Sequence, residues 1–274
     1  MAPTLSRESR LGAEGRARDW AEIQERMLVP LYETVYDRLE VDAATRLLAL
    51  GCGSGLALLL AAGRGAAVTG CDSDEARLAL ARARLESWPA SGAPRGRRAR
   101  PARLLSGPPP AAVSAGEYDV ITAFDPVEPV AELRPALDRV ARTARRGSTV
   151  VLAGWGPPER CATSRVLRTA ARLAEPRGPG AYELRLSGRD DLEDLARGAG
   201  LRPDGSGRVA CPFGYPDLRS AVRGLLSTGL FDAAAAATDR HQVDKELTEA
   251  LHPYRRPDGT VRMENVFRYV IART

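Results

Sequence analysis

The chain is poor in the residues that usually announce chemistry. It has one lysine, Lys245, two histidines, His241 and His252, and four cysteines in 274 residues. Cys52, Cys71, Cys161 and Cys211 show no C-x-x-C spacing and no histidine at metal-ligand distance, which excludes a zinc site and a disulfide scaffold; no metal is expected. No apolar run is long enough to span a bilayer, so no membrane partner is expected. Met1 to Asp19 is polar and arginine-rich without an apolar centre, so it reads as neither signal peptide nor anchor, and the cytoplasm is the expected location.

Because lysine is nearly missing, the net charge of +5 is carried by arginine. The arginines are scattered among acids, apart from Arg95, Arg97, Arg98, Arg100 and Arg103. Those five lie among Gly and Pro and read as a solvated loop rather than a concentrated footprint, so no nucleic-acid partner is expected.

What is present is an ordinary globular balance, 44% hydrophobic and 27% charged, enough for one large domain. Residues 1–18 read as a disordered tail, with many charges and little to bury. The domain is expected over residues 19–274, opening with N-terminal helices at 19–45. There Trp20, Ile23, Met27, Leu28, Leu31 and Val35 recur at helical spacing and Pro30 interrupts them. A cofactor-binding core follows at 46–155. Strands are expected at Arg46–Leu50, Ala67–Cys71, Ala102–Leu105, Tyr118–Phe124 and Thr149–Gly154, with helices between them. This alternation implies a parallel sheet with helices on both faces. Further on, helices are expected over Thr163–Ala174 and Asp190–Gly198, and strands over Gly207–Phe213 and Arg262–Ala272. The helices at 216–251 between those strands predict a cap over the carboxyl edge of the sheet.

The chemistry concentrates in Leu47-Leu48-Ala49-Leu50-Gly51-Cys52-Gly53-Ser54-Gly55 and Val68-Thr69-Gly70-Cys71-Asp72. Glycines let a chain turn sharply from strand to helix and bring backbone N–H groups against a ligand. An acid at the end of the next strand can accept both hydroxyls of a ribose, and the spacing from Gly51 to Asp72 suits one strand–helix–strand unit. The spacing is G-x-G-x-G, lacking the third glycine of G-x-G-x-x-G, and no Tyr-x-x-x-Lys pair exists, which weighs against a nicotinamide-dependent oxidoreductase.

These segments resemble motif I and the following motif of the class I S-adenosylmethionine-dependent methyltransferases. Asp119-Val120-Ile121-Thr122-Ala123-Phe124 is similar to that superfamily's fourth strand, and Arg145-Arg146-Gly147-Ser148-Thr149-Val150-Val151 to its next turn and fifth strand. Gly154-Trp155-Gly156-Pro157-Pro158-Glu159 and Glu264-Asn265-Val266-Phe267-Arg268-Tyr269 resemble bacterial small-molecule members with a helical cap. The resemblance implies a Rossmann-like three-layer α/β sandwich on a mostly parallel seven-stranded sheet. It also implies S-adenosylmethionine as cofactor and a small-molecule acceptor. The oligomeric state stays open, with a homodimer as one option.

By this resemblance Gly51, Cys52, Gly53, Gly55, Asp72, Ser73, Phe124 and Tyr32 are the cofactor-binding candidates, and Trp155 and Tyr215 the substrate candidates. His241, Asp125 and Glu128 are the candidate general bases. Three positions depart from the pattern. Ala49 stands where relatives carry an acid for the methionine amino group, Leu105-Ser106-Gly107-Pro108-Pro109-Pro110 lacks the acid that contacts adenine, and Asp125-Pro126-Val127-Glu128 replaces an asparagine and aromatics. Each lost charged contact weakens binding by about 1.5–3 kcal/mol. They motivate a second expectation, a methyltransferase fold that transfers no methyl group, either a cyclase-type enzyme or a binding or regulatory partner.

Overall fold

The computed structural model describes residues 7–87, 102–107, 117–124, 130–171 and 187–274. Helix α1 (Arg7–Asp19) runs through a π-helical turn (Trp20–Gln24) and a 3-10 turn (Glu25–Leu28) into α2 (Val29–Arg38). Pro30 falls in the first turn of α2, where its missing N–H would have no partner anyway. The expectation of disorder through residue 18 is corrected, since residues 7–18 are helical. Tertiary contacts supply what composition did not show: Ala17 is buried, Arg16 pairs with Asp232 at 2.9 Å, and α1 packs on the fourth helix and on the cap.

The core alternates β1 (Arg46–Leu50), α3 (Leu56–Gly63), β2 (Ala67–Asp72), α4 (Glu75–Ser87), β3 (Arg103–Ser106), β4 (Val120–Ala123), α5 (Val130–Thr143) and β5 (Thr149–Trp155). Then follow α6 (Ala162–Ala171), α7 (Asp191–Gly198), β6 (Arg202–Ala210), β7 (Phe213–Tyr215), α8 (Leu218–Ser227), α9 (Asp232–Ala237), α10 (Arg240–Leu251), β8 (Val261–Met263) and β9 (Val266–Arg273). Seven strands form the main sheet in the order β3-β2-β1-β4-β5-β9-β6, parallel except for β9. Side-chain alternation splits the core in two. Leu47, Ala49, Val68 and Val151 face α2 and α3, whereas Leu48, Leu50, Ile121 and Val150 face α5 and α7. Burial on both faces is why these strands read as unbroken apolar runs.

The two late strands expected from sequence are each broken. The Gly207–Phe213 strand is interrupted at Cys211-Pro212, and the closing strand at Glu264-Asn265. Pro212 cannot donate to a ladder. Asn265, buried, accepts from Cys211 N at 2.9 Å through its carbonyl and from Thr163 N at 3.1 Å through its side chain. Beyond the break β7 and β8 pair as a separate antiparallel ribbon. Asp217 and Asp239 cap α8 and α10 by accepting from Ser220 N at 2.7 Å and Gln242 N at 2.8 Å. Helix α8 rests on the Trp20–Gln24 turn and α10 on α6 and α8, so the cap grips the N-terminal segment. Among the described residues no helix is long and apolar enough to cross a membrane, and no cluster of ligating side chains could hold a metal.

Candidate functional site

The site begins where β1 leaves the sheet. Gly51, Gly53 and Gly55 have φ of +71°, +55° and +81°, a region that costs other residues strain. At Gly55 a Cβ would stand 2.9 Å from Ala81 Cβ and 3.1 Å from its Cα, so α3 and α4 meet with no room for a side chain. Cys52 N donates to Cys71 O at 2.8 Å, zipping the loop to the end of β2. The buried carboxylate of Asp72 continues that join: Oδ2 accepts from Gly53 N at 2.7 Å and Oδ1 from Asp74 N at 2.9 Å. The acid at the end of β2 therefore shapes the loop.

Above the loop lies the Trp20–Leu28 segment. A Cβ on Gly53 would fall 3.2 Å from both Trp20 Nε1 and Glu25 Oε1, which shows how closely the segment sits. Glu25 is buried and accepts hydrogen bonds from Ser54 Oγ, from Arg84 Nη1 at 2.7 Å and from Leu56 N at 3.4 Å, the last at the N-terminus of α3. The Arg77 guanidinium lies over the Trp20 ring, 4.6 Å from its centroid. The gap left among Trp20, Glu25, Tyr32, Ala49, Thr122 and Phe124 measures about 20 Å³. That admits about one water, while small-ligand sites run to several hundred cubic ångströms. Trp20 Nε1 and Thr122 Oγ1, both on this gap, are buried polar atoms without a hydrogen-bond partner. In kind the residues suit an adenosyl nucleoside; in this arrangement the volume does not.

The predicted residues divide accordingly. Gly51, Gly53, Cys52, Tyr32 and Phe124 line the gap, the last two with ring centroids 5.2 Å apart. Burial pushes the Cys52 thiol far above its usual range, so it is a packing group and not a nucleophile. Ser73 is exposed at the exit of β2. Trp155 and Tyr215, expected to face an acceptor, are corrected to core positions. Trp155 packs tilted against Phe267 and edge-on against Phe213, with ring centroids 4.5 and 5.7 Å apart, and Tyr215 Oη donates to Gln24 Oε1 at 2.8 Å. Phe213 of the β7–β8 ribbon packs between Trp155 and Tyr215, with its ring centroid 6.4 Å from that of Tyr215. His241 is exposed on the first turn of α10 and is not among the residues lining the gap. His252 is likewise exposed. Asp125 and Glu128 lie outside the described residues.

Sequence reasoning passed over Glu25, Arg84 and Thr122. For Glu25 a signal existed: it precedes Leu28 and Tyr32 by three and seven residues, which puts a carboxylate on the apolar stripe of its own helix. A charge on such a stripe is expensive to bury unless partnered. Arg84 and Ser54 are those partners.

A sheet of this order, with a glycine loop leaving β1 and an acid closing β2, is the class I methyltransferase fold. Residues 48–150 match the family model described as a methyltransferase domain. Solved structures agree on the fold. The YcgJ protein of Bacillus subtilis is 16% identical, with 89% of this chain covered, 97% of that one, and a TM-score of 0.57. Geranyl diphosphate methyltransferase in complex with SAM is 14% identical, with 94% and 89% covered and a TM-score of 0.52. The (4+2)-cyclase SpnF is 15% identical, with 89% and 79% covered and a TM-score of 0.53. No curated protein matches the chain.

Proposed function

We propose that this protein binds S-adenosylmethionine across the Gly51–Gly55 loop and directs its methyl group to a small molecule held near the cap. The observation that carries the reading is the three-glycine turn locked to Asp72, with Tyr32 and Phe124 as an aromatic wall beside it. Loop amides would hold the nucleoside and Asp72 its ribose, while the aromatic faces favour a sulfonium by cation–π attraction. When bound, the cofactor supplies an electrophilic methyl group. The chain's part is to align the acceptor in a dry pocket, where positioning alone supplies much of the rate. Asp125 and Glu128, which follow β4, are the candidates to take a proton from a hydroxyl acceptor; no histidine lines the gap.

One observation favours a second reading, a protein of this fold that transfers no methyl. Trp20 and Glu25 fill the crevice, and Ala49 offers it no charge. The test is incubation of methyl-labelled S-adenosylmethionine with metabolite extract, with and without the protein. Label in a small molecule only when the protein is present is the expected result. Binding of the cofactor without any labelled product would reject transfer and leave the second reading.

A further inference from the structure

The contacts of Glu25 are those of a bound anion. Its carboxylate sits at the N-terminus of α3, takes a proton donor from Ser54, and pairs with Arg84, yet it comes from a segment outside the strand–helix core. That segment is not a regular helix: it passes from α to π to 3-10 to α within Asp19–Val29, and such departures often mark functional positions. It fills a crevice where two buried polar atoms lack a hydrogen-bond partner, its own Trp20 Nε1 and Thr122 Oγ1 of β4. It is also held from above. Gln24 accepts from Tyr215, Met27 Sδ from Gly214 N at 3.5 Å, and Asp19 from Arg223 Nε at 3.1 Å.

We propose that Glu25 is an internal occupant of a carboxylate site built from Ser54, Arg84 and the Leu56 amide. The Trp20–Leu28 segment is a latch that withdraws, taking Glu25 with it, when a carboxylate-bearing nucleoside enters. This rests on the nucleoside reading above and adds its regulation and its ligand class. Exchange of one carboxylate for another keeps Arg84 neutralised and Ser54 bonded. A nucleoside without a carboxylate would leave both without an acceptor, and buried groups so stranded are costly. Because the cap grips the same segment, a molecule that shifts α8 and β7 would release the latch from a distance.

The test uses the full chain with Glu25→Gln and, separately, Trp20→Ala, which opens the gap by removing the indole. Hydrogen exchange without ligand is expected to quicken over residues 20–28 in both variants, and calorimetric titration to show S-adenosylhomocysteine binding tightened about tenfold, as a larger open fraction requires. Decarboxylated S-adenosylhomocysteine, which keeps the amine, is expected to bind Glu25→Gln at least about tenfold more weakly than its parent. If the wild type binds S-adenosylhomocysteine and neither variant binds it more tightly, the nucleoside reading stands and the latch is wrong. Equal affinity for the decarboxylated ligand rejects the carboxylate site. If exchange quickens but no form binds either nucleoside, the nucleoside reading itself falls, and the exchange of carboxylates with it.

Discussion

An Asp72→Ala variant is expected to melt about 5–15 °C below the wild type and to lose S-adenosylhomocysteine binding with it. The carboxylate accepts from Gly53 N and Asp74 N at 2.7 and 2.9 Å, one amide on each oxygen. Hydrogen bonds to an ionised group contribute about 1.5–3 kcal/mol each, and removing the acceptor leaves buried donors unpaired. Asp74 is half-buried and its amide can recover a water; the Gly53 amide lies under Trp20 and Glu25 and cannot. The net loss comes to about 2–4 kcal/mol, a sizeable part of a typical total of about 5–15 kcal/mol. Asp72→Asn is no full rescue, because either orientation of its amide sets an NH2 group against one of the two N–H donors. Thermal melting and titration of the three proteins check this.

Gly55→Ala is expected to have an effect of the same order, destabilising by about 2–5 kcal/mol. Two effects add: a non-glycine residue at positive φ costs about 1–2 kcal/mol, and forcing an extra methyl group into a packed contact costs about 1–3 kcal/mol. The contact in question is Ala81, 2.9 Å from the added Cβ. Gly259 is an internal control, with φ of +88° and nothing within 4 Å of its Cβ position. Gly259→Ala should show the backbone cost alone, so the difference between the two denaturation midpoints measures how tightly α3 and α4 close behind the loop. Equal losses would mean that the close approach is not what demands glycine at 55.

The parts of the fold that were legible are those where local chemistry and tertiary structure agree. Residues 46–72 read directly as strand, glycine turn, helix and strand, because a doubly buried strand must be apolar throughout and its turn needs positive φ. The broken late strands were half legible: Pro212 marked one break, but the role of Asn265 as the partner of Cys211 and Thr163 is a long-range fact. Helix α1 was misread because its charge argues for solvent, while Ala17 and the ion pair of Arg16 with Asp232 are supplied by elements far along the chain. For the site, residue type was the weaker guide. Trp155 does end β5, yet packing against Phe213 of the β7–β8 ribbon and against Phe267 makes it core. A helix start located His241 without saying which way it faces. Glu25 carried the most information, a carboxylate on the apolar stripe of its own helix.

The account stands on the crevice over Gly51–Gly55 being a nucleoside site that the protein itself keeps shut. A crystal structure grown with saturating S-adenosylhomocysteine decides it. The ligand should lie along the glycine turn with its ribose at Asp72, and Trp20 and Glu25 should have left Gly53. A ligand bound elsewhere, with Trp20 and Glu25 still seated against the loop, would contradict it.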